Sequence, residues 1–204
     1  MLFRSHVLEP WAAYWELRSR LEQASDEEVR GFLARYPRSY QEDRLRNDWL
    51  LLLGSRRDWT TLVQEHVQYR MRDDREVQCY VAAVDFLKQG PTTSPRLIED
   101  TYALWLSQRE GDEACAFAAD RMHDAGQLTD LQIWRKARIA TELGRLRSAR
   151  QAVEIVLPKE AGRLGDWWNK PAKWLSQYAS NPRRATSEWA VLALLRLEIG
   201  RAHV

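Results

Sequence analysis

The sequence predicts an all-α protein built as a curved stack of antiparallel helical hairpins, an α-superhelix or solenoid. Its 204 residues include 26 Leu and 23 Ala but only 11 Val and 5 Ile, and this excess of helix formers argues against a sandwich, a barrel or a doubly wound sheet. Glycines recur at 36-residue intervals, at Gly54, Gly90 and Gly126, and Gly144 comes after half that distance. A helix, a turn and a second helix occupy about that length, so each interval is interpreted as one hairpin.

Capping signals place the helices along the chain. Ser25, Ser39 and Thr129 are each followed three residues later by Glu or Gln, a spacing that allows reciprocal capping of a helix N-terminus. Ser94 precedes Pro95, which is typical of a first helical position, and the recurring glycines are predicted to end helices. Apolar residues keep helical spacing between these signals. The predicted helices span residues 10–23, 26–35, 40–54, 58–70, 74–89, 95–109, 112–125, 130–143, 146–157, 171–180 and 185–197.

Charge and hydropathy exclude two classes of function. The 31 Lys and Arg residues nearly balance the 29 Asp and Glu residues, for a formal net charge of +2. The chain as a whole therefore offers no case for nucleic-acid binding. The longest uninterrupted apolar run is the seven residues from Trp189 to Leu195, far too short to cross a bilayer, so no membrane span is predicted.

Three kinds of segment are distinguished along the chain. Residues 6–160 form the predicted superhelical region, and residues 161–198 continue the helical stack, which is truncated. The connection at 161–171 is predicted to be irregular because it combines two glycines, an asparagine and a proline. Residues 1–5 and 199–204 resemble the translation of a common short-read sequencing adapter, so the native residues are expected to lie between them.

A series of motifs in fixed order suggests a family. The most specific stretch runs from Phe32 to Trp59 and contains Phe-Leu-Ala-Arg-Tyr-Pro, Asp-Arg-Leu-Arg, Trp-Leu and Leu-Gly before a closing Asp-Trp. Further pieces come in order: Gln78-Cys79-Tyr80, Leu104-Trp105, Glu110-Gly111, Ala114-Cys115, Gly126-x-Leu128-Thr129, Ile133-Trp134, Ala172-Lys173-Trp174-Leu175 and Asn181-Pro182. Over residues 6–182 the chain resembles the superhelical, U-shaped N-terminal helical region of soluble lytic murein transglycosylases.

The resemblance implies that the chain takes part in cell-wall turnover but does not itself carry the catalytic residues. In this family a long ring of helices precedes a lysozyme-like domain, which cleaves the glycan strands of peptidoglycan in the periplasm and leaves a 1,6-anhydro sugar end. The catalytic acid is a glutamate followed by serine, and no glutamate in this chain is followed by serine. The fragment itself is therefore predicted to be inactive, with no catalytic, cofactor-binding or metal-binding residues. The implied partners are peptidoglycan glycan strands and the missing C-terminal catalytic domain.

Cys79 and Cys115 lie 36 positions apart, in helices of adjacent predicted hairpins. In a reducing compartment they would be two buried thiols. The resemblance implies instead that they form a disulfide, because the family carries cysteines at these two places. The family usually has Asp and a bulky apolar pair after the second cysteine, whereas this chain has Ala116 and Phe117, and the local packing there is expected to differ.

The chain has ten tryptophans, and they invite two interpretations. Four recur with leucines at helical spacing, which is typical of rings that fill gaps between helices: Trp49, Trp59, Trp105 and Trp134. Three others lie in or beside the irregular connection and are candidate glycan contacts, since aromatic faces pack well against the apolar faces of sugars: Trp167, Trp168 and Trp174.

The titratable residues form no catalytic or metal-binding pattern. Close carboxylate pairs, such as Asp43 with Asp48 and Glu110 with Glu113, are expected to be solvated, with nothing nearby to raise a pKa. Four histidines show no metal-ligand spacing: His6, His66, His123 and His203. The basic segment 135–150 is expected to be a solvated face or a contact for an anionic partner.

Two functions stay open on the sequence alone. The first is a non-catalytic superhelical scaffold of a periplasmic lytic murein transglycosylase, which would position glycan strands. The second is a stand-alone α-solenoid that binds protein partners on its concave face. The cysteine pair and the stretch from Phe32 to Trp59 favour the first function, because a generic cytoplasmic adaptor needs neither.

Overall fold

The structure, a computed structural model, describes residues 7–178 and 184–202, with side chains over residues 7–177 and 187–198. This part of the chain contains helices and no strand, which confirms the all-α prediction. The twelve α-helices are α1 Glu9–Ser19, α2 Asp26–Arg35, α3 Tyr40–Arg56, α4 Trp59–His66, α5 Arg75–Gln89, α6 Pro95–Ser107, α7 Glu113–Asp124, α8 Asp130–Glu142, α9 Leu146–Val156, α10 Leu164–Trp168, α11 Pro171–Tyr178 and α12 Arg184–Ala202. Two short 3₁₀ turns span Gly90–Thr92 and Ala161–Arg163.

Eleven of these helices match the predicted ones in position, and α10 corrects the prediction of an irregular connection at 161–171. Three apolar side chains of this short helix, Leu164, Trp167 and Trp168, are buried. Their burial stabilises a helical turn that the glycines at 162 and 165 had argued against.

The chain divides into two compact units, Met1–Val84 and Asp85–Val204, and the division falls within α5. In the first unit, α3 packs against α1, α2 and α4. Its core is built from fully buried side chains of several helices, including Val29, Leu45, Trp49, Leu50, Leu62 and Tyr69.

In the second unit, consecutive helices pack as pairs, α6 with α7, α8 with α9 and α11 with α12, as predicted for helical hairpins. Helix α12 also packs against α8, and α6 against α8. The core alternates small and large side chains, including Ala114, Ala118, Met122, Ile133, Ala137, Ala149, Val153 and Leu192. Alanines on facing helices allow close helix approach.

Most predicted caps are present. Ser25 and Thr129 both form complete capping boxes, and Ser94 accepts a hydrogen bond from the backbone N–H of Leu97. Ser39 accepts from the N–H of Glu42, but its own backbone N–H donates to the carbonyl of Tyr36, and the Glu42 carboxylate pairs with arginines.

The glycine spacing was interpreted correctly at three of four positions. Gly90, Gly126 and Gly144 have positive φ, the left-handed conformation that is common just after a helix end. Gly54 is different and corrects the prediction: it lies inside α3, where the ring of Tyr80 occupies the space that a Cβ would need. Its role is close packing, and α3 ends at Arg56 with Arg57 in the left-handed region.

Within the described residues, no helix is both long enough and apolar enough to cross a membrane.

Candidate functional site

Charged side chains in the first unit form a buried network on α3. Arg46 donates to Glu42 Oε1 from its NH2 group at 2.7 Å and also pairs with Glu65, and all three side chains are at most 15% exposed. Arg70 closes the network through Glu42 Oε2 at 2.8 Å. Each carboxylate pairs with a guanidinium, so the network joins α3 to α4 through ion pairs and has a structural role.

Asp43 corrects one sequence expectation. It was predicted to be solvated, whereas its side chain is 2% exposed and pairs with the guanidinium of Arg70. Its two oxygens accept hydrogen bonds from the backbone N–H groups of Arg70, at 3.0 Å, and Met71, at 2.7 Å. The Asp43 carboxylate therefore holds the backbone of the segment after α4 in place. Because both of its oxygens accept hydrogen bonds, neither is free to act as a general acid or base.

The second unit holds a buried lysine that sequence analysis did not single out. Lys136 on α8 is 2% exposed, and its Nζ donates to the backbone carbonyls of Trp105 and, at 2.7 Å, Gln108. These carbonyls end α6, where a cation also favours the helix dipole. Burial lowers the pKa of Lys136 to about 8, and the negative charge of Asp112 opposes that shift.

Asp112 is the N-cap of α7 and was not among the carboxylate pairs considered from the sequence. Its Oδ1 accepts from the N–H of Cys115 at 2.7 Å, while its buried Oδ2 has no hydrogen-bond partner in the described part of the chain. Burial raises its pKa, against the lowering effects of the Cys115 N–H and the Lys136 charge. Asp112 is only 8% exposed, so its burial restricts the access that protonating a substrate requires.

The basic segment 135–150 does not form one continuous cationic surface. Lys136 is buried, Arg138 makes a two-oxygen ion pair with Glu188 at 2.6 and 2.8 Å, and Arg145 pairs with Glu110 at 2.8 Å. Three cations of the segment are therefore engaged within the protein. This argues against the hypothesis that the segment forms a single face for an anionic partner.

The tryptophans of the connection form the centre of a cluster in the second unit. The Trp167 ring lies 6.1 Å from Trp168, 5.8 Å from Trp174 and 5.7 Å from Trp189, measured between centroids. Trp167 and Trp168 are only 2% and 5% exposed, while Trp174 is half-buried. Of the three candidate glycan contacts, Trp174 is the residue that is not fully buried.

Of the four tryptophans predicted to fill the core, three are buried: Trp49, Trp105 and Trp134. Trp59 is half-buried, with the guanidinium of Arg57 5.5 Å from its ring centroid.

A cluster of exposed rings on α1 and at the start of α3 was missed. Trp15 is 58% and Tyr40 54% exposed, and the half-buried Trp11 lies between them, 5.5 Å from each centroid. We call these three rings the α1–α3 aromatic patch. The signal was present in the sequence, because Trp11 and Trp15 are four residues apart and share one face of a helix.

Neither cysteine is free, since Cys79 and Cys115 are both disulfide-bonded. His66 is half-buried, with its ring 6.3 Å from Tyr69, and His123 Nε2 lies 2.8 Å from Asp130. His6 and His203 lie outside the described residues. Across the described residues no group of three or more His, Cys, Asp or Glu side chains could hold a metal ion.

Comparison with known proteins finds a similarity among solved structures. No protein-family model and no curated protein matches the chain. Among solved structures, the chain is similar to a lytic transglycosylase. That protein is lytic transglycosylase Slt from Pseudomonas aeruginosa, solved as an inactive mutant, with a TM-score of 0.51 and 31% sequence identity over 93% of this chain. This chain covers 31% of the length of that protein.

Proposed function

We propose that the chain is a non-catalytic superhelical scaffold from a lytic murein transglycosylase, which holds peptidoglycan glycan strands for a separate catalytic domain. The observation that carries the proposal is the similarity itself. It extends over 93% of this chain at 31% identity, yet it accounts for only 31% of the length of a lytic transglycosylase. A likeness of that extent favours one region of such an enzyme over an unrelated helical adaptor.

The chemistry of the described residues is consistent with a scaffold. The carboxylates of the buried network are neutralised by arginines, and Asp112, whose pKa is raised among the carboxyls of the described residues, is buried. A glycosidic acid needs a raised pKa together with access to the scissile bond. We therefore propose that cleavage belongs to another domain of the parent enzyme.

We propose that the protein resides in the periplasm and that Cys79 and Cys115 pair with each other. Both cysteines are disulfide-bonded, and structural disulfides persist in oxidising compartments. Thiol titration of protein taken from the periplasm is expected to find no free cysteine, and two titratable thiols would contradict the pairing.

We also propose that Trp174 contributes to glycan contact, with Trp167 beneath it as a rigid support. A half-buried ring backed by a buried ring keeps a fixed orientation at low entropic cost.

The test of the proposed function is co-sedimentation of the chain with purified, insoluble peptidoglycan, with cellulose as the control polysaccharide. The chain is expected to sediment with peptidoglycan, to stay in solution with cellulose, and to release no anhydro-muropeptides. Failure to sediment with peptidoglycan would refute the scaffold role. Release of anhydro-muropeptides that is abolished by changing one glutamate would show a catalytic site in this chain.

A further inference from the structure

The α1–α3 aromatic patch has the physical character of a carbohydrate platform. Exposing two large rings, Trp15 and Tyr40, beyond half of their surface costs hydrophobic free energy that burial would recover. The rings are held in place: Trp11 lies 5.5 Å from both, tilted by 38° and 39°, and it meets the buried Tyr14 edge-on at 6.1 Å. The patch is therefore preformed, with its outer faces open to solvent.

We propose that this patch binds the sugar rings of a glycan strand whose peptide stems carry carboxylates. A pyranose ring presents an apolar C–H face that stacks on an aromatic face, while its hydroxyl groups stay in water. The two exposed rings, Trp15 and Tyr40, each offer accessible surface for a sugar ring. The proposal rests on the scaffold role proposed above and assigns that role to particular residues.

Two arginines, Arg18 and Arg44, lie beside the patch and favour a ligand that carries negative charge. Arg18 lies three residues after Trp15 on α1, and Arg44 lies four residues after Tyr40 on α3, so each exposed ring has a guanidinium one turn further along the same face. Arg18 pairs with Asp48 at 3.2 Å and its side chain is 53% exposed. Arg44 interacts with the same carboxylate and with the hydroxyl of Tyr14.

Arg18 and Arg44 both feel the charge of one carboxylate, that of Asp48, and Glu22 lines the same pocket as Arg18 and Asp48. The other acidic residues of α1 are already engaged: Glu9 pairs with Arg35, and Glu16 pairs with Arg20 at 2.7 Å. An aromatic strip with the 53% exposed guanidinium side chain of Arg18 at its border complements a glycan that carries carboxylates.

The experiment uses the full chain and two soluble probes, with intrinsic tryptophan fluorescence and calorimetry as readouts. The first probe is the neutral tetramer of N-acetylglucosamine, and the second is a peptidoglycan fragment of similar length with intact peptide stems. Trp15→Ala and Tyr40→Ala are each expected to weaken binding of both probes roughly three- to tenfold. Arg18→Ala is expected to weaken only the stem-bearing fragment, roughly twofold to fivefold.

Matched controls lie in the second unit. Leu131→Ala removes a 67% exposed apolar side chain and Arg96→Ala removes a 90% exposed guanidinium, and neither is expected to change binding. Circular dichroism melting is expected to show unchanged folding for Trp15→Ala and Tyr40→Ala, because both side chains are exposed.

The outcomes separate this inference from the scaffold role. If the unaltered chain sediments with peptidoglycan and Trp15→Ala and Tyr40→Ala sediment equally well, the patch is not the glycan site and the scaffold role stands. If the unaltered chain does not sediment, the scaffold role itself fails. If sedimentation velocity shows a dimer that Trp15→Ala dissociates while glycan binding is unaffected, the patch joins two copies of the chain and the inference is wrong.

Discussion

The two units use the same residue type in opposite ways. In the second unit, the ring of Trp167 contacts those of Trp168 and Trp189, and all three residues are at most 5% exposed. In the first unit, Trp15 also lies on a helix, and it is 58% exposed. The difference comes from the covering helices: α12 supplies a ring against Trp167, whereas no described helix of the first unit covers Trp15. Tryptophans beside a loop therefore do not identify a glycan site unless their covering elements are known.

The units also differ in how they bury charge. The first unit buries Arg46 with Glu42 and Glu65, so positive and negative groups are matched by side chains. The second unit buries Lys136 against two backbone carbonyls, with the partly unsatisfied carboxyl of Asp112 in its field. The lysine site is therefore expected to be more sensitive to pH than the arginine network, since an arginine does not lose its proton in a folded protein.

The largest expected effect tests the burial difference. Trp167→Ala is expected to destabilise the protein by about 3–5 kcal/mol, because it removes a buried ring that three other rings contact. Chemical denaturation monitored by circular dichroism measures this change. Trp167→Phe is the matched variant: it keeps much of the ring and removes an indole N–H that has no hydrogen-bond partner among the described residues. Its loss is expected to be well below half that of Trp167→Ala, and equal losses would contradict a packing role.

Lys136→Met is expected to cost about 3 kcal/mol, slightly less than the tryptophan change. The methionine fills a similar volume, but the carbonyls of Trp105 and Gln108 lose their donor and Asp112 loses its opposite charge. The same denaturation experiment measures the loss. Adding Asp112→Asn to Lys136→Met removes the stranded charge while an asparagine can still cap α7, so the double variant is expected to recover part of the stability. No recovery would show that the two side chains are not coupled.

The pH dependence of Lys136 sharpens the comparison between the units. Its folded pKa of about 8 lies below the ordinary value of 10.5. Between these two values the unfolded chain holds a proton that the folded chain has lost, so folding stability is expected to increase as pH rises from 8 towards 10. The measurement is the difference in unfolding free energy between the natural chain and Lys136→Met at successive pH values. A difference that is flat across this window would contradict the shifted pKa.

The sequence predicts the positions of most helices, but it does not predict which of the site residues are buried. Caps are local signals, so Ser25, Thr129 and Gly126 mark helix ends that the structure confirms. The prediction that Gly54 ends a helix was wrong because the role of this glycine depends on Tyr80, which lies 26 residues further along the chain. Local sequence cannot show whether a distant side chain will occupy the space beside a glycine.

Lys136 and the aromatic patch were missed for the same physical reason. Nothing in the local sequence distinguishes Lys136 from the arginines at 135 and 138. Lys136 is buried because its Nζ reaches the backbone carbonyls at the end of α6, a contact that local sequence does not reveal. The helical spacing of Trp11 and Trp15 shows that they share a face, yet whether that face is covered depends on the packing of the whole unit. Periodicity identifies faces, and tertiary contacts decide which of them meet solvent.

Tyr36 provides a pH effect of opposite sign in the first unit. Its hydroxyl hydrogen-bonds to Glu9, and burial together with this carboxylate raises the pKa of Tyr36 to about 12 from 10.0. Between these values the folded chain keeps a proton that the unfolded chain has lost, so stability is expected to fall as pH rises above 10. Tyr36→Phe is expected to cost about 1 kcal/mol at pH 7 and to make the alkaline fall shallower. An unchanged alkaline slope in this variant would contradict the raised pKa.

The smallest expected effect completes the comparison between exposed and buried tryptophans. Trp15→Ala is expected to change the unfolding free energy by less than about 0.5 kcal/mol, because the ring is 58% exposed and already in contact with water in the folded state. Alanine is also the better helix former, which offsets part of the lost contact with Trp11. Denaturation under the conditions used for Trp167→Ala measures the difference. A loss of about 2 kcal/mol or more would mean that the patch is part of the core of the first unit, and its exposed rings would then be retained for stability and not for binding.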